Sequence, residues 1–258
     1  IGSRDAASVV IGGLKRLEYR GYDSAGVAVL YENGAISVER AVGKLHNLEQ
    51  KLGPTCIGCQ VGMGHTRWAT HGGVTEQNAH PHIGMRGRVA VVHNGIIENY
   101  AALRDELQTA GVVFTSETDT EVVAYAADLL GRNHNLPWEL VAGVLAPPFW
   151  NDIERMPAGE KRRALALRQV YGSLLLNGPF AVIIARHGEM VGLTDRIRLR
   201  PLTVGEKDDM LYISSEESAI RLISPVLDRA WIPVGGEPVI GRLKIPVAEK
   251  ALEAAKIA

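Results

Sequence analysis

Residues able to do chemistry are concentrated between positions 64 and 100. This stretch holds five histidines, an Arg-Trp pair at Arg67 and Trp68, and an Asn-Gly step at Asn94 and Gly95 that follows an apolar run. The apolar run predicts a buried strand, so the polar groups gather where that strand ends. Binding and catalytic groups are commonly held on loops at the ends of a rigid scaffold. The stretch therefore predicts a functional site.

Two charged residues suit the two ends of an amino acid. The planar guanidinium of Arg67 can donate two parallel hydrogen bonds to a carboxylate. Asp119 lies at a predicted helix start, where a carboxylate is favoured, and it could hold an ammonium group. Together they would fix an α-amino acid. The alternative for each is an ordinary ion pair at the surface or at a helix cap.

The Asn94-Gly95 step offers a different function. A side-chain amide and a glycine backbone N–H at a strand end can stabilise the oxyanion of a tetrahedral intermediate. The alternative is a type I′ hairpin turn, for which Asn-Gly is the preferred dipeptide. Trp68 is either a core aromatic residue or a lid over a bound substrate, and the sequence leaves both open.

No metal site is predicted. The histidines lack helical His-x-x-x-His spacing and have no recurring acidic neighbour, so buried scaffold roles are favoured for His65, His71, His80, His82 and His93. Cys56 and Cys59 form a single Cys-x-x-Cys, which is half of a four-thiolate zinc site. Incidental positions are favoured for both cysteines over a redox or metal role.

Composition narrows the choice of partner. The chain has 258 residues, of which 46% are hydrophobic, and 28 basic side chains nearly balance 29 acidic ones. This balance gives no electrostatic reason to expect nucleic acid or an anionic membrane, so a small polar substrate is favoured. Since no apolar run approaches the roughly 20 residues of a membrane helix, a cytoplasmic protein is expected.

Periodicity predicts sheets flanked by helices. An Asn-Gly hairpin should join strands 25–31 and 35–42, and Thr118 with Glu121 should form a capping box at the start of a helix. Strands before and after a central block of helices indicate a sandwich. The other predicted strands are 60–64, 88–93, 180–186, 190–194, 211–214 and 231–234, and the predicted helices are 5–20, 44–52, 100–110, 118–131 and 216–223, with a helical elaboration at 136–177.

Five motifs in order resemble the glutaminase domain of class II glutamine amidotransferases. They are residues 17–26 (LEYRGYDSAG), 65–72 (HTRWATHG), 78–82 (NAHPH), 93–99 (HNGIIEN) and 116–122 (SETDTEV). Their order and spacing are most similar to those of glutamine:fructose-6-phosphate amidotransferases. The second half is similar to the amidotransferase domain of glutamate synthases, through residues 145–150, 156–157, 177–181, 195–196, 199–201 and 214–216.

The resemblance implies an α+β fold of the N-terminal-nucleophile hydrolase type, a four-layer αββα sandwich of antiparallel sheets. The domain would cover residues 1–244, with a helical insert at about 136–177, and 245–258 would be a tail or the start of a linker. By family position, Arg67 would bind the glutamine carboxylate and Asp119 its amino group. By the same resemblance, Thr70 and His71 would line the pocket and Trp68 would help to close it. Asn94 and Gly95 would form the oxyanion hole, and Arg20 would support the surroundings of the nucleophile.

The start of the chain departs from the family pattern. The family nucleophile is the first residue of the mature protein, a cysteine whose own amino group acts as base, whereas this sequence starts Ile1-Gly2-Ser3. The expected cysteine lies about half a dozen residues before Ile1, in a first strand that Ile1 and Gly2 would end. Three explanations stay open: residues missing from the sequence, a deliberate truncation, or a naturally inactive homologue.

The function implied is hydrolysis of L-glutamine to glutamate and ammonia, with the ammonia delivered to a synthase domain or subunit in an oligomer or complex. This half-reaction needs no cofactor. The insert favours a glutamate synthase-like system, whose FMN and iron-sulfur groups would sit on partner subunits, over a glucosamine-6-phosphate synthase-like one. The competing interpretation is a non-catalytic module that binds glutamine or another protein.

Overall fold

A computed structural model describes residues 1–52, 59–132, 134 and 136–243. Cys56 and the predicted tail at 245–258 lie outside the described residues. The helices in the described part are α1 (Ala6–Leu17), α2 (Leu45–Lys51), α3 (Tyr100–Thr109), α4 (Glu121–Arg132), α5 (Trp138–Leu145), α6 (Trp150–Arg155), α7 (Ala158–Tyr171) and α8 (Glu217–Ile223). The strands are β1 (Ser24–Leu30), β2 (Ile36–Val42), β3 (Val61–Arg67), β4 (His82–Ile83), β5 (Ala90–Gly95), β6 (Phe180–Arg186), β7 (Glu189–Thr194), β8 (Thr203–Lys207), β9 (Met210–Ser214), β10 (Arg229–Trp231) and β11 (Val239–Arg242).

Local sequence signals explain the first elements. The side chain of Asp5 accepts a hydrogen bond from the backbone N–H of Ser8 and so caps α1. Strands β1 and β2 pair antiparallel, and the turn between them has Gly34 at a φ of 80°. The predicted hairpin is therefore confirmed. A 3-10 turn follows α1 and ends at Arg20, shortly before β1 begins at Ser24.

The strands form two layers. One layer contains the antiparallel sheets β2-β1-β3 and β10-β8-β9, and the other is the sheet β11-β7-β6-β5-β4. Between the layers lies a dry cluster to which β1 and β3 contribute Ala28 and Met63 and the facing sheet contributes Val92 and Ala185. This cluster holds the two layers face to face.

Helices cover both outer faces. Helices α3, α4 and α5 pack on the five-stranded sheet around a large core that includes Leu103, Leu130 and Trp138. On the other side, α1 packs on β3 and α8 packs on β8 and β9. The four-layer αββα arrangement predicted for the chain is confirmed.

Some local predictions are wrong. The strand predicted at 231–234 is instead β10, which ends at Trp231, and β4, β8 and β11 were not predicted. Thr118 does not cap α4, because its hydroxyl pairs with His82 instead. The Glu121 carboxylate accepts from the backbone N–H groups of Thr115 and Ser116 rather than closing a box with Thr118.

The region 136–177 contains α5, α6 and α7, and Trp138 anchors it. Its indole is 1% exposed, the Arg186 guanidinium stacks on it at 4.7 Å, and its Nε1 has no hydrogen-bond partner. We expect Trp138→Ala to lower the free energy of unfolding by about 3–5 kcal/mol through the cavity it leaves. Trp138→Phe keeps most of the apolar volume and removes the unpaired N–H, so it should cost under about 1.5 kcal/mol. Urea unfolding would measure both, and equal losses would contradict this packing.

Within the described residues, every helix is too short or too polar to cross a bilayer.

Candidate active site

One cavity of about 410 Å³ gathers the predicted site residues. It lies beside β3 and β9 and reaches the end of β5. All eight residues proposed from the sequence line it: Arg20, Arg67, Trp68, Thr70, His71, Asn94, Gly95 and Asp119. Its volume is within the range that holds small-molecule ligands.

Arg67 is the last residue of β3 and is almost fully buried. Its guanidinium donates hydrogen bonds to the carbonyl oxygens of His71, Gly72 and Gly73, at 2.6, 3.3 and 3.1 Å. Burial lowers the pKa of Arg67, and the negative charges of Asp23 and Asp119 oppose that shift. Arg67 is thus a buried cation on the cavity wall that also shapes the loop after β3, which excludes a simple surface ion pair.

Asp119 precedes α4 and is also buried. One carboxylate oxygen accepts the backbone N–H of Ile97 at 2.8 Å, and the same oxygen lies 3.9 Å from Nδ1 of His93. The bond to Ile97 ties Asp119 to the segment that directly follows Asn94 and Gly95. A buried carboxylate is therefore held beside the Asn94-Gly95 strand end by one backbone hydrogen bond.

Asn94 and Gly95 do not form a hairpin turn. They are the last two residues of β5 and pair with Ala181 and Phe180 of β6. Gly95 has a φ of 137°, which favours glycine, and an added Cβ would collide with the carbonyl oxygen of Pro179. Only glycine fits at this strand end, because the backbone of Pro179 and Phe180 occupies the space that a side chain would need.

Trp68 is not a core residue, because 60% of its side chain is exposed. It stands at the rim of the cavity with its ring edge-on to Tyr22, at a centroid distance of 5.4 Å. His71 contacts the ring of Tyr100 on the same rim. The exposure of Trp68 excludes the core interpretation, and the lid interpretation stays a prediction.

Arg20 is fixed by one acidic partner. Its guanidinium donates to Glu216 at 2.8 Å, and the hydroxyl of Tyr19 donates to the same carboxylate oxygen at 2.6 Å. The pair joins the start of β1 to the turn between β9 and α8. Arg20 therefore lies on the wall and is positioned by Glu216, which the sequence had not linked to it.

Three buried histidines (His80, His82 and His93) and the half-buried His65 form a polar layer at the cavity. The hydroxyl of Thr120 bonds Nε2 of His80 and Nδ1 of His93, both at 3.0 Å, and Thr118 bonds His82 at 3.0 Å. Burial lowers the pKa of His65 and His82 to about 3 and that of His93 to about 4, and it lowers the pKa of His80 well below its ordinary value. These side chains are therefore neutral at pH 7. Among the described residues, no cluster of three His, Cys, Asp or Glu side chains is arranged to hold a metal ion.

The neutral histidines make stability depend on pH. In the unfolded chain His82 binds a proton below its ordinary pKa of 6.5, whereas in the fold it stays neutral down to about 3. Unfolding therefore takes up a proton between these values, and stability falls as pH falls through that window. We expect His82→Gln to reduce the slope of unfolding free energy against pH by about 1.4 kcal/mol per pH unit below pH 6.5.

Denaturant titrations at pH 7 and pH 5 would measure that slope. The matched control is His46→Gln, since His46 is exposed on α2. It removes an exposed imidazole, and an equal change of the slope in both variants would contradict a neutral, buried His82.

Four further residues shape the site and were not predicted to do so. Arg200, Ser214 and Ser215 line the cavity, and Arg200 has a buried Nε with no hydrogen-bond partner. Asp23 accepts the backbone N–H of Ala69 and so holds the loop that carries Trp68. All four lie within motifs that carried the family resemblance, which was the only signal that could have marked them.

The start of the chain borders the same cavity. The backbone nitrogen of Ile1 donates to the carbonyl oxygen of Leu211 at 3.0 Å, and the Leu211 N–H returns a bond to Ile1 at 2.9 Å. This exchange is the pattern of an antiparallel pair. On the other side, Gly2 donates to Gln60, directly before β3. Ile1 and Gly2 therefore bridge β9 and β3.

The chain is similar to known proteins. Residues 44–156 match the glutamine amidotransferase domain family. An uncharacterized protein of Archaeoglobus fulgidus is 53% identical over 167 residues, covering 65% of this chain and 44% of that protein. The glutamine--fructose-6-phosphate aminotransferase (isomerizing) of Leifsonia xyli is 40% identical over 257 residues, covering 97% of this chain and 39% of that enzyme. The chain thus spans less than half the length of these curated relatives.

A solved structure supports the fold. Glutamine phosphoribosylpyrophosphate amidotransferase from B. subtilis superposes with a TM-score of 0.63 over 95% of this chain and 48% of that one, at 21% identity. At this identity the likeness concerns the fold, which is the N-terminal-nucleophile hydrolase type. Together with the domain match and the relatives at about 40% identity, these findings identify the chain as carrying a class II glutamine amidotransferase domain.

Proposed function

We propose that this domain binds L-glutamine and hydrolyses its side-chain amide to glutamate and ammonia. The observation that carries the proposal is the presence of three chemically distinct groups in one cavity: the cation of Arg67, the carboxylate of Asp119 and the Asn94-Gly95 strand end. Arg67 binds the α-carboxylate, Asp119 the α-ammonium, and the γ-amide then extends toward Asn94 and Gly95. Thr70 and His71 line the pocket and Trp68 closes it.

The nucleophile in this proposal is a cysteine on a strand that precedes Ile1. Continuing the pairing of Ile1 with Leu211 backwards leads between β3 and β9, along the cavity. A strand of about six residues spans roughly 20 Å. Because β3 runs from Val61 to Arg67, such a strand would bring its first residue to the Arg67 end. Arg20, held by Glu216, supports the surroundings of that residue.

The proposed reaction is an acyl transfer through a thioester. The cysteine thiol loses its proton to the chain's own α-amino group, and the sulfur attacks the γ-carbonyl carbon. Asn94 and Gly95 stabilise the oxyanion that forms. The C–N bond breaks as the leaving nitrogen takes up that proton, which gives ammonia and a thioester. Water then attacks the thioester, releasing glutamate and the thiol, so that no cofactor is required for this half-reaction.

The acceptor of the ammonia is a synthase domain or subunit. The helices α5, α6 and α7 occupy the insert that favours a glutamate synthase-like partner, whereas the relatives at about 40% identity carry the name of a fructose-6-phosphate aminotransferase. We keep the glutamate synthase-like assignment as the proposal. Purification of the native assembly decides it: flavin and iron-sulfur absorbance in a co-purifying subunit supports it, and a sugar isomerase domain in the same polypeptide overturns it.

An assay on the intact protein tests the activity. The native N-terminus is sequenced, and glutamate and ammonia are measured after addition of L-glutamine. The proposal expects a cysteine as the first mature residue and equal amounts of both products. A mature first residue other than cysteine, together with no ammonia release, would instead favour a non-catalytic glutamine-binding module.

A further inference from the structure

Three chain segments form one continuous surface beside the site: 147–150, 195–199 and 232–236. The guanidinium of Arg196 stacks 4.8 Å from the ring centroid of Phe149 and donates to the carbonyl oxygen of Pro147. Arg198 donates to the carbonyl oxygen of Pro233 at 3.3 Å. The two arginines thus join all three segments into what we call the arginine–apolar face.

Large apolar side chains on this face are turned to solvent. Their exposed fractions run from 43% to 64%, for Phe149, Trp150, Leu199, Ile197, Ile232 and Val234. Monomeric proteins rarely expose so many large apolar groups side by side unless the patch contacts another surface. Tryptophan and arginine are also the residues that contribute most to binding energy at interfaces.

The charge of the face is positive. Arg168 stacks on Trp150 at 4.1 Å, and neither it nor Arg196 nor Arg198 makes an ion pair within the described part of the chain. Asp195 is buried and accepts backbone N–H groups of its own loop. The nearest exposed carboxylates along the chain, Asp152 and Glu237, lie just outside the three segments. A partner that presents carboxylates would complement this charge.

The face adjoins the cavity. The backbone N–H of Asp195 donates to the carbonyl oxygen of Phe180 at 2.9 Å, and Phe180 pairs with Gly95 at the end of β5. Leu199, on the face, is followed directly by Arg200, which lines the cavity. A protein seated here would lie next to the place where ammonia is released.

We propose that the arginine–apolar face docks a separate ammonia-accepting synthase subunit. The partner surface presents carboxylates to Arg168, Arg196 and Arg198 and aliphatic side chains to the exposed apolar groups. The identity of this partner rests on the proposed glutaminase function, whereas the existence of the interface does not. Docking at this face places the acceptor beside the oxyanion donors, which shortens the path of ammonia.

Photo-crosslinking of the full-length protein in its native source tests the interface. Benzoylphenylalanine replaces Val234 on the face, or Val113 as the control, since Val113 is 77% exposed and lies outside the three segments. Mass spectrometry of the crosslinked peptides should show position 234 joined to a carboxylate-rich segment of an ammonia-using synthase and position 113 joined to none. Crosslinking to a second copy of this chain, to an unrelated protein or to nothing would overturn the proposal.

Two substitutions give an independent readout. Val234→Asp and Arg198→Glu should each weaken association with the purified synthase by about tenfold or more, whereas Val113→Asp should not. Glutamine-dependent synthesis should fall with them, while glutamate release from glutamine and ammonia-dependent synthesis stay at wild-type levels. Equal binding by all variants overturns the docking site. A wild-type protein that releases no glutamate overturns the proposed function instead, and the crosslink still tests the interface.

Discussion

Asn94→Ala should lower kcat for glutamine hydrolysis by about 10²–10³-fold, since loss of one oxyanion donor has that effect in acyl-transfer enzymes. The side chain of Asn94 lines the cavity at the end of β5. In its proposed role Asn94 stabilises charge that exists only in the transition state, so KM should change by less than about threefold. Steady-state kinetics on the protein with its native N-terminus would measure both parameters.

Asn33→Ala is the matched control for this prediction. Asn33 sits in the turn between β1 and β2, where its side-chain oxygen accepts the backbone N–H of Ala35. The substitution should affect stability slightly and leave kcat unchanged. A rise in KM with unchanged kcat for Asn94→Ala would place Asn94 in substrate binding and refute its role at the oxyanion.

Arg67→Ala should raise KM for glutamine by about 10–100-fold, because a charge-assisted hydrogen bond contributes about 1.5–3 kcal/mol. The structure adds a second consequence. Removal of the guanidinium leaves the carbonyl oxygens of His71, Gly72 and Gly73 without this donor, so the loop should also lose stability. Arg67→Lys keeps the charge but not the planar fork, and an intermediate KM is expected.

Arg40→Ala separates the two effects. Arg40 is partly buried and, like Arg67, donates to a backbone carbonyl oxygen, that of Pro81, but it is not part of the cavity wall. Its loss should lower thermal stability and leave KM unchanged. Equal changes of KM in Arg40→Ala and Arg67→Ala would show that Arg67 acts only through the fold.

Equal losses of kcat and of substrate affinity in Asn94→Ala and Arg67→Ala would contradict both assigned roles.

The elements with strong local signals could be predicted from the sequence. Gly34 allows the β1–β2 hairpin turn through its positive φ, and Asp5 caps α1 as its side-chain chemistry suggests. The Asn-Gly dipeptide at 94–95 does not form a hairpin turn, so the dipeptide alone does not predict one. There the glycine allows β5 to end against Pro179 rather than to turn back on itself.

Elements defined by tertiary contacts could not be predicted in this way. Strand β8 contains Gly205, whose missing side chain makes room for Ile220 and Leu227, and β11 contains Gly241, which contacts Ile1 and Leu211. Neither strand shows a clear alternation of apolar and polar residues. Thr118 was mistaken for a cap because its real partner, His82, lies 36 residues earlier in the chain.

In the candidate site, too, some residues could be predicted from their type and others depend on tertiary contacts. The side-chain types at Arg67, Asp119 and Asn94 indicated their chemistry, and the fold places all three on one cavity. The roles of Asp23, Glu216 and Arg200 depend on contacts between distant segments, which residue types alone do not reveal. The protonation state of the histidines could not be predicted from the sequence, because it is their burial in the fold that keeps them neutral.

Covalent labelling of the nucleophile tests the central claim most directly. A glutamine analogue with an electrophilic carbon at the amide position is added to the protein with its native N-terminus, and mass spectrometry maps the adduct. The account predicts one adduct, on a cysteine about six residues before Ile1 at the end of a strand spanning roughly 20 Å, and strongly reduced labelling in Arg67→Ala. An adduct on the buried Cys59, or glutamine hydrolysis by a protein with no cysteine before Ile1, would contradict it.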